Sequence, residues 1–175
     1  MGMRYLIKPD KHTSCDGQFP LELSFFFEQM DGYGDKSEVA QVSALLSMDL
    51  SGFRKRQYGT GSVDEEVKMW EDVDAFTEQI SAFITRLILK PDYYKSVRYN
   101  VNQRKQDEQL VTLGISDSGK FLELLEEFQA MPDYGYPSDY GYLSSGRILK
   151  DLTDLKNLLM CYKKSGVKKV KVYFM

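Results

Sequence analysis

Leu21-Glu-Leu-Ser-Phe-Phe-Phe-Glu28 is the stretch on which the fold turns. Leu21, Leu23, Phe25 and Phe27 alternate with Glu22, Ser24, Phe26 and Glu28, the period of two that puts one set of side chains on each face of a strand. Val42, Ala44, Leu46, Met48 and Leu50 repeat the pattern against Ser43, Leu45, Ser47 and Asp49. Asp31-Gly-Tyr-Gly-Asp35 separates the two runs. A short strand over Arg4 to Lys8 and another over Phe53 to Tyr58 complete a meander or hairpin array in the first third of the chain.

The period changes at Asp72. Val73, Phe76, Ile80, Phe83, Ile84 and Leu87 recur at spacings of three and four, an amphipathic helix with Asp72 as N-cap and Pro91 closing it. Val97, Tyr99 and Val101, then Leu110 to Ile115, read as a β-hairpin around the polar turn Gln103–Glu108. Ser116, Asp117 or Ser118 caps a helix whose apolar side is Phe121, Leu124, Leu125 and Phe128. Ile148, Leu152, Leu155, Leu159 and Tyr162 form a last helical stripe, with Lys163 and Lys164 at its negative end and Gly166 suited to the C′ position. Val170, Val172 and Phe174 then alternate with Lys169, Lys171 and Tyr173 in a terminal strand. The expected fold is a single α+β domain over residues 1–175, a mostly antiparallel or mixed sheet of about six to seven strands with three helices packed mainly on one face. The terminal lysine strand is expected at a sheet edge, where charge discourages pairing with other molecules.

At 175 residues the chain can bury roughly 70% of its unfolded surface, enough for a core without metals or cross-links. Its 42% hydrophobic content excludes a disordered chain. No apolar run reaches the roughly 20 residues of a membrane span, and Tyr5 to Ile7 is too short for a signal-peptide core. The two cysteines, Cys15 and Cys161, make no spacing pattern, which favours a reducing compartment and a cytoplasmic location, though a long-range pairing stays open. Residues 150–175 carry seven Lys against two Asp, net +5, which leaves −8 on residues 1–149 out of the total of −3.

Four patterns bear on chemistry. Gly114-Ile-Ser-Asp-Ser-Gly-Lys120 follows the first seven positions of a phosphate-cradling loop, but Phe121 stands where Mg²⁺ needs a hydroxyl, and a helix-capping turn accounts for it equally. Cys15 lies three residues after His12, the only histidine, an arrangement a small thiol enzyme could use. One His and two Cys do not make a zinc site, and no cofactor is expected. The acidic runs Asp64-Glu-Glu66 and Glu71-Asp-Val-Asp74 read as solvated surface near a helix start.

The sharpest pattern is Met131-Pro-Asp-Tyr-Gly-Tyr-Pro-Ser-Asp-Tyr-Gly-Tyr-Leu-Ser-Ser-Gly146, with Asp-Tyr-Gly-Tyr repeated from Asp133 and Asp139. Its prolines and glycines exclude a helix or central-strand interior. Tyrosine on such a loop gives large amphipathic contact area at small rotamer cost, so the leading expectation is a non-enzymatic protein-binding module of inhibitor or immunity type. Tyr33, Tyr134, Tyr136, Tyr140 and Tyr142 would be its anchors, and Asp133 and Asp139 would steer a basic partner. The alternative packing of the same tyrosines is inward, as staples of an Ω-loop. A second alternative is nucleic-acid binding through the basic C-terminal helix and strand, with Lys168, Lys169 and Lys171 on phosphates, although the acidic body opposes it.

Overall fold

A computed structural model describes residues 4–32, 37–53, 70–97, 117–130 and 140–174. Along these the chain forms β1 (Tyr5–Pro9), α1 (Leu21–Gly32), α2 (Glu38–Leu46), a 3-10 turn at Ser51–Phe53, β2 (Trp70–Asp72), α3 (Val73–Leu89), a second 3-10 turn at Tyr93–Ser96, α4 (Ser118–Ala130), α5 (Tyr140–Ser144), α6 (Arg147–Lys164) and β3 (Lys169–Phe174). The architecture is α+β, but among the described residues it has six α-helices and one three-stranded antiparallel sheet, so the expected six-to-seven-stranded sheet with three helices is wrong.

The error lies in the opening stretch. Residues 21–28 are helical: Leu23, Phe26 and Phe27 are buried at spacings of three and one, whereas Leu21 and Phe25, which a strand would have put beside Leu23, are 47% and 46% exposed. A run this dense in apolar residues satisfies both periods, and the decision comes from its ends. Pro20 cannot donate and so suits a helix entry, and its carbonyl accepts from the Ser24 amide at 3.0 Å and from Ser24 Oγ at 3.0 Å. The second expected strand is α2 in its first half, with Val39, Val42 and Leu46 buried at spacings of three and four. Ser37 caps it, its side chain accepting from the Ala40 amide at 3.1 Å, and Ser47 ends it in the left-handed region at φ 50°.

The helices read from the 3.6-residue period stand as expected. Asp72 Oδ1 accepts from the amides of Asp74 (2.9 Å) and Ala75 (3.0 Å), opening α3. Val73, Phe76, Ile80, Phe83 and Leu87 are buried along it, and α6 buries Ile148, Leu152, Leu155, Leu158, Leu159 and Tyr162. These two stripes form the middle of the core, extended by Phe27, stacked on Phe53 at 4.9 Å between centroids. α6 closes with Gly166 at φ 75°, its amide bonded to the Lys163 carbonyl and the Val167 amide bonded to that of Tyr162, a paired arrangement that satisfies the helix's last carbonyls.

The strand order is β1-β3-β2, so β3 is the central strand and not the expected edge. Tyr5 lies opposite Phe174, Lys8 opposite Lys171, and Trp70 opposite Lys171 on the other side. Val170 and Val172 point into the core, while Lys169 is exposed and Lys171 and Tyr173 are half-buried on the other face. The lysines therefore solvate the open side of a sheet that buries one face, which is why they alternate. Of the expected strand over Phe53 to Tyr58, Phe53 ends a 3-10 turn and the rest lies outside the described residues, as does the expected hairpin beyond Val97.

Candidate binding cleft

Between β1 and α1 the chain runs as an extended strap along α6, antiparallel to it. Asp10 fastens its start: the Asp10 amide donates to the Lys169 carbonyl at 2.9 Å, and the Lys169 amide donates to Asp10 Oδ2 at 3.0 Å. From 11 to 19 no backbone amide or carbonyl bonds to another backbone group among the described residues. Alternate side chains hold the strap instead. Cys15 is joined to Cys161 in a disulfide with Cα atoms 5.9 Å apart. Gly17 lies so close to α6 that a Cβ there would sit 2.9 Å from Leu158 Cδ1. Phe19 is buried, edge-on to Tyr5 at 5.2 Å.

The disulfide settles the long-range pairing that the sequence left open and bears on two expectations. The cysteines are 146 positions apart and meet only because α6 returns beside the strap, which no local spacing could reveal. Cysteine spacing alone therefore gives no guide to the compartment, since such a pair persists in oxidising surroundings and in a reducing one serves as a transient bond. Cys15 also has no free thiol for the nucleophile that its nearness to His12 invited.

Against the strap opens a cleft of about 630 Å³. Asp16 and Gln18 line it from the strap, Leu21 and Glu22 from α1, Asp151, Asp154 and Asn157 from α6, and Arg4 from the start of β1. Four carboxylates and one guanidinium line it, with two further cations paired to the carboxylates from just outside. Glu22 is paired with Arg147, and Asp154 with Lys150 at 2.6 Å, an exposed pair that pushes the Lys150 ammonium pKa up. Asp151 is half-buried, and loss of solvent raises its carboxyl above the usual range even though it accepts a hydrogen bond from the Tyr142 hydroxyl at 3.1 Å. Among the described residues no three His, Cys, Asp or Glu side chains converge on a metal position, so these carboxylates form a spread acidic wall, not a chelate. Leu21 lines the cleft, and Phe25 lies one helical turn further along α1, each nearly half exposed.

A second, smaller hollow of about 330 Å³ is apolar, bounded by Leu87, Ile88, Tyr93, Tyr94, Leu143 and Leu149. The Tyr93 hydroxyl beside it is buried with no hydrogen-bond partner among the described residues, and burial together with the Glu38 carboxylate pushes its pKa well up.

Tyr142, expected to face a partner, is turned inward. It is 3% exposed, its ring 6.2 Å from that of Phe26 and under the Arg147 guanidinium at 5.8 Å. Burial drives its phenol pKa far up, so it stays protonated and donates to Asp151. This residue is a staple and not a contact. Tyr140 begins α5, so the stretch from which glycine and proline were expected to exclude helix holds a short one over Tyr140–Ser144, past its last proline; Tyr33, Asp133, Tyr134, Tyr136 and Asp139 lie outside the described residues. Of the Gly114–Lys120 motif, residues 114–116 lie outside the described residues, and Asp117 Oδ1 accepts from the Gly119 and Lys120 amides at 3.1 and 3.2 Å, capping α4. In the acidic runs, Asp72 is a cap, Asp74 pairs with Lys163 at 2.5 Å, and residues 64–66 lie outside the described residues.

The cleft residues Asp16, Glu22, Asp151 and Asp154 were not anticipated. One signal was present: Asp151, Asp154 and Asn157 are spaced by three and share a face of α6, but a tally of the basic tail averages them away. No protein-family model, no curated protein and no solved structure matches this chain.

Proposed function

We propose that the protein is a non-enzymatic protein-binding module whose acidic cleft receives a basic side chain of its partner. The observation that carries this reading is the wall of Asp16, Glu22, Asp151 and Asp154 with the half-exposed Leu21 beside it and the half-exposed Phe25 one helical turn further along α1. The division of labour follows from magnitudes. Exposed ion pairs contribute roughly 0.2–1 kcal/mol each, whereas burying the remaining half of Leu21 and Phe25 contributes about 1 kcal/mol apiece. The carboxylates therefore steer and select, and the two apolar side chains supply affinity. The tyrosine-rich segment joins this reading through α5, because Tyr142, two residues after Tyr140, is bonded to Asp151 of the cleft wall. An inhibitor or immunity-type role is the specific form of the proposal, with Tyr134, Tyr136 and Tyr140 as further contacts. A cytoplasmic location belongs to the same proposal; among the described residues no helix is long and apolar enough to cross a membrane.

The test is a nuclear magnetic resonance titration with N-acetyl-leucyl-arginine amide. The Asp16 and Asp154 amide resonances should move saturably, less so as salt rises, and not at all in the Asp16→Asn/Asp154→Asn variant. An equal response to N-acetyl-leucyl-glutamate amide removes the proposal. Nucleic-acid binding is the second reading, favoured by Lys8 lying directly opposite Lys171, a like-charge juxtaposition on paired strands that a phosphate would relieve. A salt-sensitive shift with a single-stranded oligonucleotide, abolished by neutralising Lys168, Lys169 and Lys171, would promote it.

A further inference from the structure

We infer that the Cys15–Cys161 disulfide is a redox clamp on the cleft: breaking it lifts the middle of the strap from α6 and takes one acidic wall away. The inference rests on the binding reading for its consequence, and on the strap's attachments for its mechanism. Among the described residues, 11–19 have no backbone-to-backbone hydrogen bonds to lock them, so between Asp10 and Phe19 the strap is held to α6 by the disulfide and by the approach of Gly17 to Leu158, with two exposed contacts at the helix end, Lys11 beside Gly166 and Cys15 Sγ 3.4 Å from Ser165 Oγ. The Cys15 amide donates within the strap itself, to Thr13 Oγ1 at 3.1 Å, and so does not tie it to the helix. Both ends are anchored independently, Asp10 by its two bonds to Lys169 and Phe19 by burial beside Tyr5. Opening the disulfide thus frees a short loop between fixed ends and leaves the core stripes of α3 and α6 in place. Asp16 and Gln18, the strap's contribution to the cleft, lie in the freed part.

Both cysteines are half-buried, which leaves the bond within reach of a small dithiol. The dithiol's thiolate attacks one sulfur, giving a mixed disulfide and expelling the other cysteine as a thiolate that takes up a proton. Its second thiolate then attacks the reductant's own sulfur in the mixed disulfide and expels the bound cysteine, which also takes up a proton. Two electrons and two protons pass to Cys15 and Cys161, and the reductant leaves as its own disulfide. In a reducing compartment the bond would be a transient, sensing one. If the freed strap is seated in about a tenth of reduced molecules, apparent affinity at the cleft falls about tenfold.

The experiment compares the oxidised chain, the chain reduced with dithiothreitol and a Cys15→Ser variant. The first readout needs no ligand: the nuclear Overhauser effect between the Gly17 α-protons and the Leu158 δ-methyls should be present when oxidised, absent when reduced or in the variant, and restored on reoxidation. Near-ultraviolet circular dichroism should keep its folded signature throughout. The second readout is the dissociation constant of N-acetyl-leucyl-arginine amide, expected about tenfold weaker in the reduced chain. Persistence of the Gly17–Leu158 Overhauser effect after reduction overturns the clamp, as does loss of the whole fold, which would make the bond a global staple. If reduction abolishes that effect and yet leaves dipeptide affinity the same, the link to the cleft is overturned. If the dipeptide binds neither state, the binding reading falls, and the Overhauser effect alone decides the clamp.

Discussion

Replacing Tyr142 with Phe removes one hydroxyl and leaves its ring against Phe26 and under Arg147. The interaction removed is the hydrogen bond to Asp151 at 3.1 Å. A bond to an ionised acceptor contributes about 1.5–3 kcal/mol net, and because Asp151 keeps some solvent and can rehydrate, the low end applies, about 1.5 kcal/mol. For a chain of this size that is roughly 3–6 °C in melting temperature. Tyr142→Ala also deletes a ring that is 3% exposed and should cost about 4–5 kcal/mol. The assay is urea denaturation at neutral pH: the midpoint should fall in the order wild type, Phe, Ala, with an unchanged slope. A double-mutant cycle with Asp151→Ala should return most of the hydroxyl's contribution as coupling. If Tyr142→Phe leaves the midpoint within about 0.3 kcal/mol of wild type, the phenol is solvated, and the inward staple and the link between tyrosine segment and cleft both fail.

Asp151 carries a pH signature of definite sign. Its folded-state pKa is raised by burial, so its favourable contribution is complete below the ordinary aspartate value and is lost as pH rises through the raised one. Asp151→Asn keeps an acceptor for Tyr142 without the charge, so melting curves over about pH 4 to 7 should show the variant gaining on wild type as pH rises; the reverse trend would refute the assignment. Asp72→Ala removes the acceptor for two amides at the start of α3 and should cost about 1 kcal/mol in denaturant, with Asp72→Asn restoring most of it. Gly166→Ala puts a side chain at φ 75°, with its Cβ 2.8 Å from Lys11 Nζ, and should destabilise by about 1–2 kcal/mol, while Gly166→Asn should be milder.

What the sequence disclosed depended on whether one period stood alone. The α3 and α6 stripes are separated by polar residues in every turn, and their caps, Asp72 and Gly166, are residue types with one dominant use, so both helices and their ends were readable. β1 and β3 were readable because their alternation is brief and bounded by turns. In 21–28 the apolar density fitted either period, and the choice hung on Pro20 and on burial that only tertiary packing supplies. The cleft was hidden for a different reason: Asp16 and Glu22 lie in one stretch of sequence and Asp151 and Asp154 in another far from it, and the bond that draws the two together joins residues 146 positions apart. Tyrosine content, in turn, is silent on direction; Tyr142 has the composition of a contact residue and the burial of a core one.

Because β3 sits between β1 and β2, neither earlier strand has a described neighbour in the sheet until residues 169–174 are available. On the ribosome, β1 and β2 wait for the partner that pairs with both among the described residues until 169–174 have emerged. Sheet closure is then a threading of one late segment between two waiting edges, a long-range event that rewards loop closure only when it completes and is slow for that reason. Deleting these six residues would remove both ladders at once, whereas deleting β1 would remove one.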